Sequence, residues 1–306
     1  MRELEATCYH AARGFLSHLL DELPERDRVD GELVTVLGPR ERAYWTRNVW
    51  ETPLIIEFDS VGEAAKALRS IQRNWALMPA RLHRRAALIA ERLPPLPIKP
   101  KAFPFTPPPV PMGAFALLDE HTMLASPLCT SPFPNGEFEF VEDKEGPPSR
   151  AYRKLWEALV IAGERPAPGE ACLDAGASPG GWTWALAGLG AEVLAIDRAD
   201  LDPRIAALPG VRTMRHDAFS LQPAEVGRVD WLCSDVICYP PALLDWVSAW
   251  LDSGLARNYV CTIKMQGELF DKATTDRFAA IPGSRVLHLW HNRHELTWIS
   301  LAKDRV

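Results

Sequence analysis

Long apolar runs, paired cysteines and a leader-like N-terminus are all missing from this chain of 306 residues. No stretch reaches the roughly 18 consecutive apolar residues that a membrane span requires. Met1-Arg2-Glu3-Leu4-Glu5 lacks the charged-then-apolar order of a secretory signal. The six cysteines (Cys8, Cys129, Cys172, Cys233, Cys238 and Cys261) are scattered, with no C-x-x-C pair among them. Cys172, Cys233 and Cys261 fall in apolar, strand-like runs, where cysteine behaves as a small hydrophobe. That pattern argues against a disulfide framework and a zinc site, and a reducing cytoplasm is the expected compartment. His288, His291 and His294 recur three apart near the end, a spacing that does not converge on one point, so they are assigned to surface or turn positions and no metal is expected. There is no internal repeat. What remains, 47% hydrophobic and 24% charged, is the composition of a globular protein long enough for two domains. A monomer is the default expectation.

An excess of positive charge is also missing, since the formal net charge is −6. Its distribution matters more than its sum. Lys66, Arg69, Arg73, Arg81, Arg84, Arg85, Arg92, Lys99 and Lys101 follow one another with only Glu91 between them. Trp75 and His83 are interleaved and could stack on bases. A basic stretch in an acidic chain is the footprint of a phosphate-binding face, and RNA is the expected partner. The plainer alternative is a solvated helix face.

The first 75 residues read as a small α+β domain, with helices over 11–23 and 61–71 and strands over 33–37 and 52–58. Between Pro94 and Pro148 lie 14 of the 27 prolines, which excludes a long helix. Residues 94–148 are therefore expected to be an extended connector with short strands such as 114–118, which Phe103, Phe105, Phe115 and Phe133 would pack down. The expected division is 1–93, 94–148 and 149–306. From Ser149 onward the pattern is regular. A helix over 149–162 precedes strands at 171–173, 192–196, 211–214, 229–233 and 259–263, and two closing apolar runs flank His291-Asn292-Arg293-His294. Runs that close must pair as an antiparallel hairpin. Five parallel strands and a terminal hairpin predict a seven-stranded, Rossmann-like methyltransferase sheet in an α/β domain.

The most informative segment is Asp174-Ala175-Gly176-Ala177-Ser178-Pro179-Gly180-Gly181-Trp182, a glycine-rich turn between an apolar strand and a helix start. Such a turn presents free backbone N–H groups and a helix N-terminus to a nucleotide-like ligand. Its spacing fits G-x-G-x-x-G poorly, and Pro179 with an acid at the strand end points to S-adenosylmethionine. Polar residues then close each strand: Asp174, Asp197, Asp217, Asp235 and Lys264, with Glu295 opening the antiparallel last strand at the same edge. Asp197 stands where an acid grips a ribose diol, and Asp217 could accept from an adenine amino group. Asp after a strand also serves turns and helix caps, the bland alternative for each taken singly. A lysine closing the apolar run Cys261-Thr262-Ile263-Lys264 costs desolvation unless it is used.

With the turn, Ser149-Arg150-Ala151-Tyr152-Arg153-Lys154-Leu155, Ser234-Asp235, Ile263-Lys264 and His294-Glu295 in view, the chain resembles the FtsJ-type RNA ribose 2'-O-methyltransferases over 149–302. Within them, Ser131-Pro132-Phe133-Pro134-Asn135-Gly136 and the long N-terminal region resemble the bacterial 23S ribosomal RNA ribose methyltransferase M group. The resemblance implies that the K-D-K-E signature falls on Lys154, Asp235, Lys264 and Glu295. It implies that Gly176, Ser178, Pro179, Gly180, Gly181 and Trp182 form the methionine end of the cofactor site, that Asp174 belongs to the same cofactor-binding site, that Asp197 and Asp217 take ribose and adenine, and that Asp235 lies beside the methyl. It further implies a ferredoxin-like or reduced THUMP-like RNA-binding domain in 1–93. Lys264 would accept the 2'-hydroxyl proton and Lys154 would orient the hydroxyl, with in-line positioning the larger contribution. Two rivals remain: a catalytically idle RNA-binding module, and a methyltransferase acting on protein or small molecules.

Overall fold

The computed structural model describes residues 1–96 and 98–305. The chain folds as two compact units, Met1–Ala102 with Pro107–Phe140, and Phe103–Thr106 with Val141–Val306.

The first unit contains β1 (Arg2–Glu3), β2 (Ala6–Ala11), α1 (Leu16–Glu22), β3 (Arg28–Asp30), β4 (Leu33–Leu37), β5 (Thr46–Trp50), β6 (Leu54–Glu57), α2 (Val61–Ile71), β7 (Trp75–Leu77), α3 (His83–Ala90), β8 (Gly113–Leu117) and β9 (Thr122–Ser126). One sheet has the order β1-β6-β9-β8-β7 and the other β3-β4-β2-β5. Alternation along β8 explains the layering. Phe115 and Leu117 join the cluster made with Ala64, Leu68, Ala86 and Ile89 of α2 and α3. Ala114 and Ala116 face the other way, onto Cys8, Leu33 and Trp50 of the four-stranded sheet.

Two expectations change here. The helix expected over 11–23 shrinks to Leu16–Glu22, because Ala11 ends a strand and Gly14 turns the chain at φ +82°. That strand, β2, is buried at all six positions and is flanked by β4 and β5. Two-sided burial leaves it without the polar alternation that marks a half-exposed strand. The stretch expected as a connector is also divided. Residues 107–140 fold with the first unit, and β8 and β9 pair at its centre with register Phe115↔Ala125. The window from Met112 to Ser126 holds no proline, so the ladder there can form. Phe133 stacks on Phe138 in this unit, whereas Phe103 belongs to the second and stacks on Trp156.

The second unit runs α4 (Tyr152–Ala162), β10 (Ala171–Ala175), α5 (Gly181–Ala187), β11 (Glu192–Asp197), α6 (Pro203–Ala206), β12 (Val211–Arg215), α7 (Pro223–Val226), β13 (Val229–Ser234), α8 (Pro240–Ser253), β14 (Ala256–Lys264), α9 (Lys272–Ala280), β15 (Ser284–Leu287) and β16 (Glu295–Ser300). Its sheet has the order β12-β11-β10-β13-β14-β16-β15. The first five strands are parallel, and β16 inserts antiparallel between β14 and β15. The chain crosses from one side of β10 to the other between β12 and β13. Ligands in open α/β sheets bind at such a switch point, beyond the carboxyl ends of the strands.

Candidate active site

At that edge the β10–α5 turn is built from glycine because the backbone requires it. Gly176 lies at φ +78° and Gly180 at φ +114°, where a side chain is strained. A Cβ on Gly176 would stand 2.8 Å from Val236 Cβ, and one on Gly181 would stand 2.5 Å from Ser149 Oγ. The turn thus sits flush against the segments after β13 and before α4. Between them opens a cavity of about 440 Å³, lined by residues that include Gly176, Ser178, Pro179, Gly181, Trp182, Asp197, Asp217, Asp235 and Lys264. That volume suits a nucleoside-sized ligand.

Asp197 accepts from Ser178 N (3.0 Å) and Ala199 N (2.8 Å), which leaves carboxylate lone pairs free for a diol. Asp217 Oδ1 accepts from Phe219 N at 3.0 Å and also borders the cavity. Trp182 is anchored by Nε1 donating to Ala151 O at 3.0 Å. Ser178 donates its hydroxyl to Asp200 O (3.0 Å), so both its hydroxyl and its backbone N–H are committed within the protein.

Asp174 differs from its expected role. It does not line the cavity but is buried beneath the turn, where Thr183 Oγ1 donates to Oδ2 at 2.6 Å. Its Oδ1 is buried with no hydrogen-bond partner among the described residues. Burial, aided by the charges of Asp235 and Asp197, pushes its carboxyl up to about 7. Gly180 likewise shapes the turn without lining the cavity, its would-be Cβ position filled by Ile205.

The four charged residues expected to act together do meet. Antiparallel pairing makes Lys264 and Glu295 direct cross-strand partners at the ends of β14 and β16. Lys154 reaches them from the first turn of α4, and Asp235 from the residue after β13. Lys154 Nζ donates to Asp235 Oδ1 (2.7 Å) and Oδ2 (2.8 Å) and lies 3.0 Å from Glu295 Oε1. Lys264 Nζ donates to the Asp235 carbonyl at 2.6 Å and lies 3.2 Å from Asp235 Oδ1. The two lysines are therefore not equivalent. Burial alone would lower the Lys154 pKa, but Asp235 and Glu295 outweigh it and hold the ammonium above the ordinary lysine range. Its three donors meet three carboxylate oxygens, so this cation is fully occupied by Asp235 and Glu295. Lys264 has two contacts, both on Asp235, and borders the cavity, which Lys154 does not.

Reading the sequence missed Ser149, His216, Phe219, Val236 and Ile237 on the cavity wall. Position alone could have found two of them, since His216 and Val236 directly follow strand-ending residues. The closing histidines sit about the β15–β16 turn. The His291 side chain is shielded there, its Nδ1 2.6 Å from Glu157 Oε2, and His288 Nε2 lies 3.0 Å from Arg293 O. Among the described residues no group of three His, Cys, Asp or Glu could hold a metal ion, and no helix is long and apolar enough to cross a membrane.

In the first unit Arg69, Arg73, Arg81, Arg84, Arg92 and Lys99 are exposed, and Arg85 and Lys101 half-buried. Some are partly committed: Arg81 pairs with Asp30 at 3.2 Å, and Arg85 lies 5.5 Å over the Phe58 ring. Arg69 donates to Arg92 O at 2.6 Å. Arg73, Arg84 and Lys99 stand outside these pairings.

Strand order, the inserted antiparallel strand and a glycine-rich turn after β10 define the second unit as a Rossmann-like methyltransferase domain. Residues 147–272 match the FtsJ-like methyltransferase family. The chain is similar to proteins named ribosomal RNA large subunit methyltransferase M. The one from Halorhodospira halophila is 39% identical over 157 residues, 49% of this chain and 46% of that protein. The one from Alkalilimnicola ehrlichii is 35% identical over 173 residues, 52% of this chain and 48% of that protein. The chain thus spans about half the length of the curated relatives it matches. Among solved structures, the Methanococcus jannaschii fibrillarin pre-rRNA processing protein aligns at 18% identity and a TM-score of 0.36, over 50% of this chain and 76% of that one.

Proposed function

We propose that this protein transfers a methyl group from S-adenosylmethionine to a ribose 2'-hydroxyl of RNA, with 23S ribosomal RNA as substrate. The observation that carries the reading is the Lys154–Asp235–Lys264–Glu295 network, with only one of its two lysines open to the cavity. The relatives named as ribosomal RNA methyltransferases support the substrate class.

The cavity fits the cofactor on two counts. Its turn is bare of Cβ atoms at Gly176 and Gly181, where side chains would strike Val236 and Ser149, and it carries Asp197 with lone pairs to spare. Gly176, Ser178, Pro179, Gly181 and Trp182 would hold the methionine end, Asp197 the ribose and Asp217 the adenine. When bound, S-adenosylmethionine supplies an electrophilic methyl on a sulfonium. The protein must then position the hydroxyl in line with it and take up one proton. A neutral Lys264 amine has two N–H bonds, and Asp235 offers two acceptors for them. The lone pair is left for the proton of the 2'-hydroxyl. Lys154, saturated by carboxylates, ties Asp235 to Glu295 and so fixes the frame against which Lys264 is aimed. Holding two reactants in such a geometry can lower a barrier by about 7–11 kcal/mol.

RNA would be gathered by the basic residues of the first unit, chiefly Arg73, Arg84 and Lys99 with Arg69, Arg81, Arg85, Arg92 and Lys101, through phosphate contacts that weaken as salt rises. The test is incubation with methyl-labelled S-adenosylmethionine and RNA lacking its own modification, followed by digestion to nucleosides. Label in a 2'-O-methyl nucleoside is the expected result. Label in protein, or S-adenosylmethionine bound without transfer to any RNA, would overturn the reading.

A further inference from the structure

The two loops that carry the reactive edge also expose apolar side chains. Ile237 is 75% exposed, Tyr239 69% and Leu269 84%, whereas no other large apolar side chain described in the second unit exceeds 55%. Ile237 and Tyr239 follow Asp235 on the β13–α8 loop, and Leu269 lies on the loop after Lys264. Gln266 Nε2 donates to Cys238 O at 3.3 Å, so the two loops are joined. Ile237 borders the same cavity as Lys264. Apolar surface gathered at one place marks a contact site.

The backbone under Tyr239 is held while its ring stands in solvent. Tyr239 is the residue before α8, and its carbonyl accepts from Ala242 N (3.0 Å) and Leu243 N (3.2 Å). Pro240 and Pro241 follow, and a proline restricts both its own φ and the residue before it. A ring on a restrained backbone loses little freedom when a partner stacks on it.

We infer that Tyr239, with Ile237 and Leu269, forms the platform on which a nucleobase beside the methylated ribose is stacked. The inference rests on the reading proposed above. A ribose whose 2'-hydroxyl meets Lys264 carries its base on the adjoining carbon, so an unstacked base must lie within reach of these loops. Single-stranded bases displayed to a protein are commonly held on aromatic and apolar side chains. Tyr239 is the aromatic member, and Ile237 and Leu269 enclose the base from the cavity side and from the facing loop.

The experiment compares wild type, Tyr239→Ala and Tyr239→Phe in steady-state methyl transfer to RNA and in binding of S-adenosylmethionine and a short single-stranded oligouridine. Tyr239→Ala is expected to raise KM for RNA about tenfold, the size of one lost base–aromatic stack, and to weaken oligouridine binding by a similar factor. Its kcat should stay within about twofold of wild type and its S-adenosylmethionine affinity should not change, while Tyr239→Phe restores KM. A wild type active on RNA with KM unmoved by Tyr239→Ala would overturn the platform and leave the proposed reaction standing. Loss in kcat alone, or equal loss in Tyr239→Phe, would overturn it as well, since neither is lost stacking. A wild type that labels no RNA would remove the reaction and the platform together.

Discussion

Each unit gathers a cluster of opposite charges, and the two clusters are built differently. In the first unit Arg47 reaches Glu32 (2.8 Å), Glu137 (2.5 Å) and His10 (2.7 Å) from β5, an edge strand of the four-stranded sheet. The arginine side chain is only 7% exposed, while its two carboxylates are each 41% exposed. It ties β5 to the segments bearing Glu32 and Glu137. In the second unit Lys154 is saturated by carboxylates, but Lys264 beside it keeps one position toward a cavity lined by a glycine-rich turn. A cluster that ties strands and loops together holds a fold. One with a vacancy at a cavity can act on a ligand. Buried charge by itself does not separate the two, because both are costly to desolvate and both must be paired.

The sharpest way to break the comparison is Lys264→Ala. Removing the proposed base should lower the rate of methyl transfer by about 10²–10⁴-fold, with S-adenosylmethionine affinity retained, since the proposed cofactor contacts lie on other residues. Single-turnover assays beside calorimetric binding would check it. Equal loss of binding would mean that Lys264 holds the cofactor instead.

Acid and base should act on the two units in opposite directions. Burial pushes the His10 imidazole down to about 4, so the folded first unit holds it neutral. Its contribution is present above the ordinary value near 6.5 and is lost as pH falls toward 4, because the unfolded chain takes the proton first. Asp174 is raised by burial to about 7, so the folded second unit favours its protonated form. That contribution is present below the ordinary carboxyl value and is lost as pH rises from about 3.8 to 7. Each is worth on the order of 3 kcal/mol. Hydrogen exchange measured across pH, read separately on β2 and β10, should show opposite slopes, with His10→Asn flattening the first and Asp174→Asn the second.

Arg47→Met should cost the first unit about 2 kcal/mol, less than a fully buried pair would lose because Glu32 and Glu137 can hydrate. Exchange protection in β2, β4 and β5 would fall, and affinity for S-adenosylmethionine would stay unchanged. The smallest effect expected is from Gly176→Ala. A side chain at φ +78° costs about 1–2 kcal/mol, and its Cβ would crowd Val236, so cofactor affinity should weaken about tenfold.

The second unit was the more legible of the two. Its strands alternate with helices, and a polar residue closes nearly every parallel strand, so edge residues could be picked out from one sequence. Asp197, Asp217, Asp235, Lys264 and Glu295 all come to that edge, and Lys154 joins them because α4 precedes the first strand and packs beside α5. Asp174 was misjudged because a strand-end acid reads the same whether it points into the cavity or beneath the turn. In the first unit β2 was hidden by its two-sided burial, and the β8–β9 hairpin by the prolines on either side of it.

The sequence by itself determined the order of elements in the second unit, the need for glycine at the turn, and the residue types available at the sheet edge. These are local matters of periodicity, φ and the short distance from a strand to its end. Tertiary structure alone decided which lysine is saturated and which faces the cavity. That choice depends on where two carboxylates from β13 and β16 converge on a helix more than seventy residues upstream, and no local rule relates those positions.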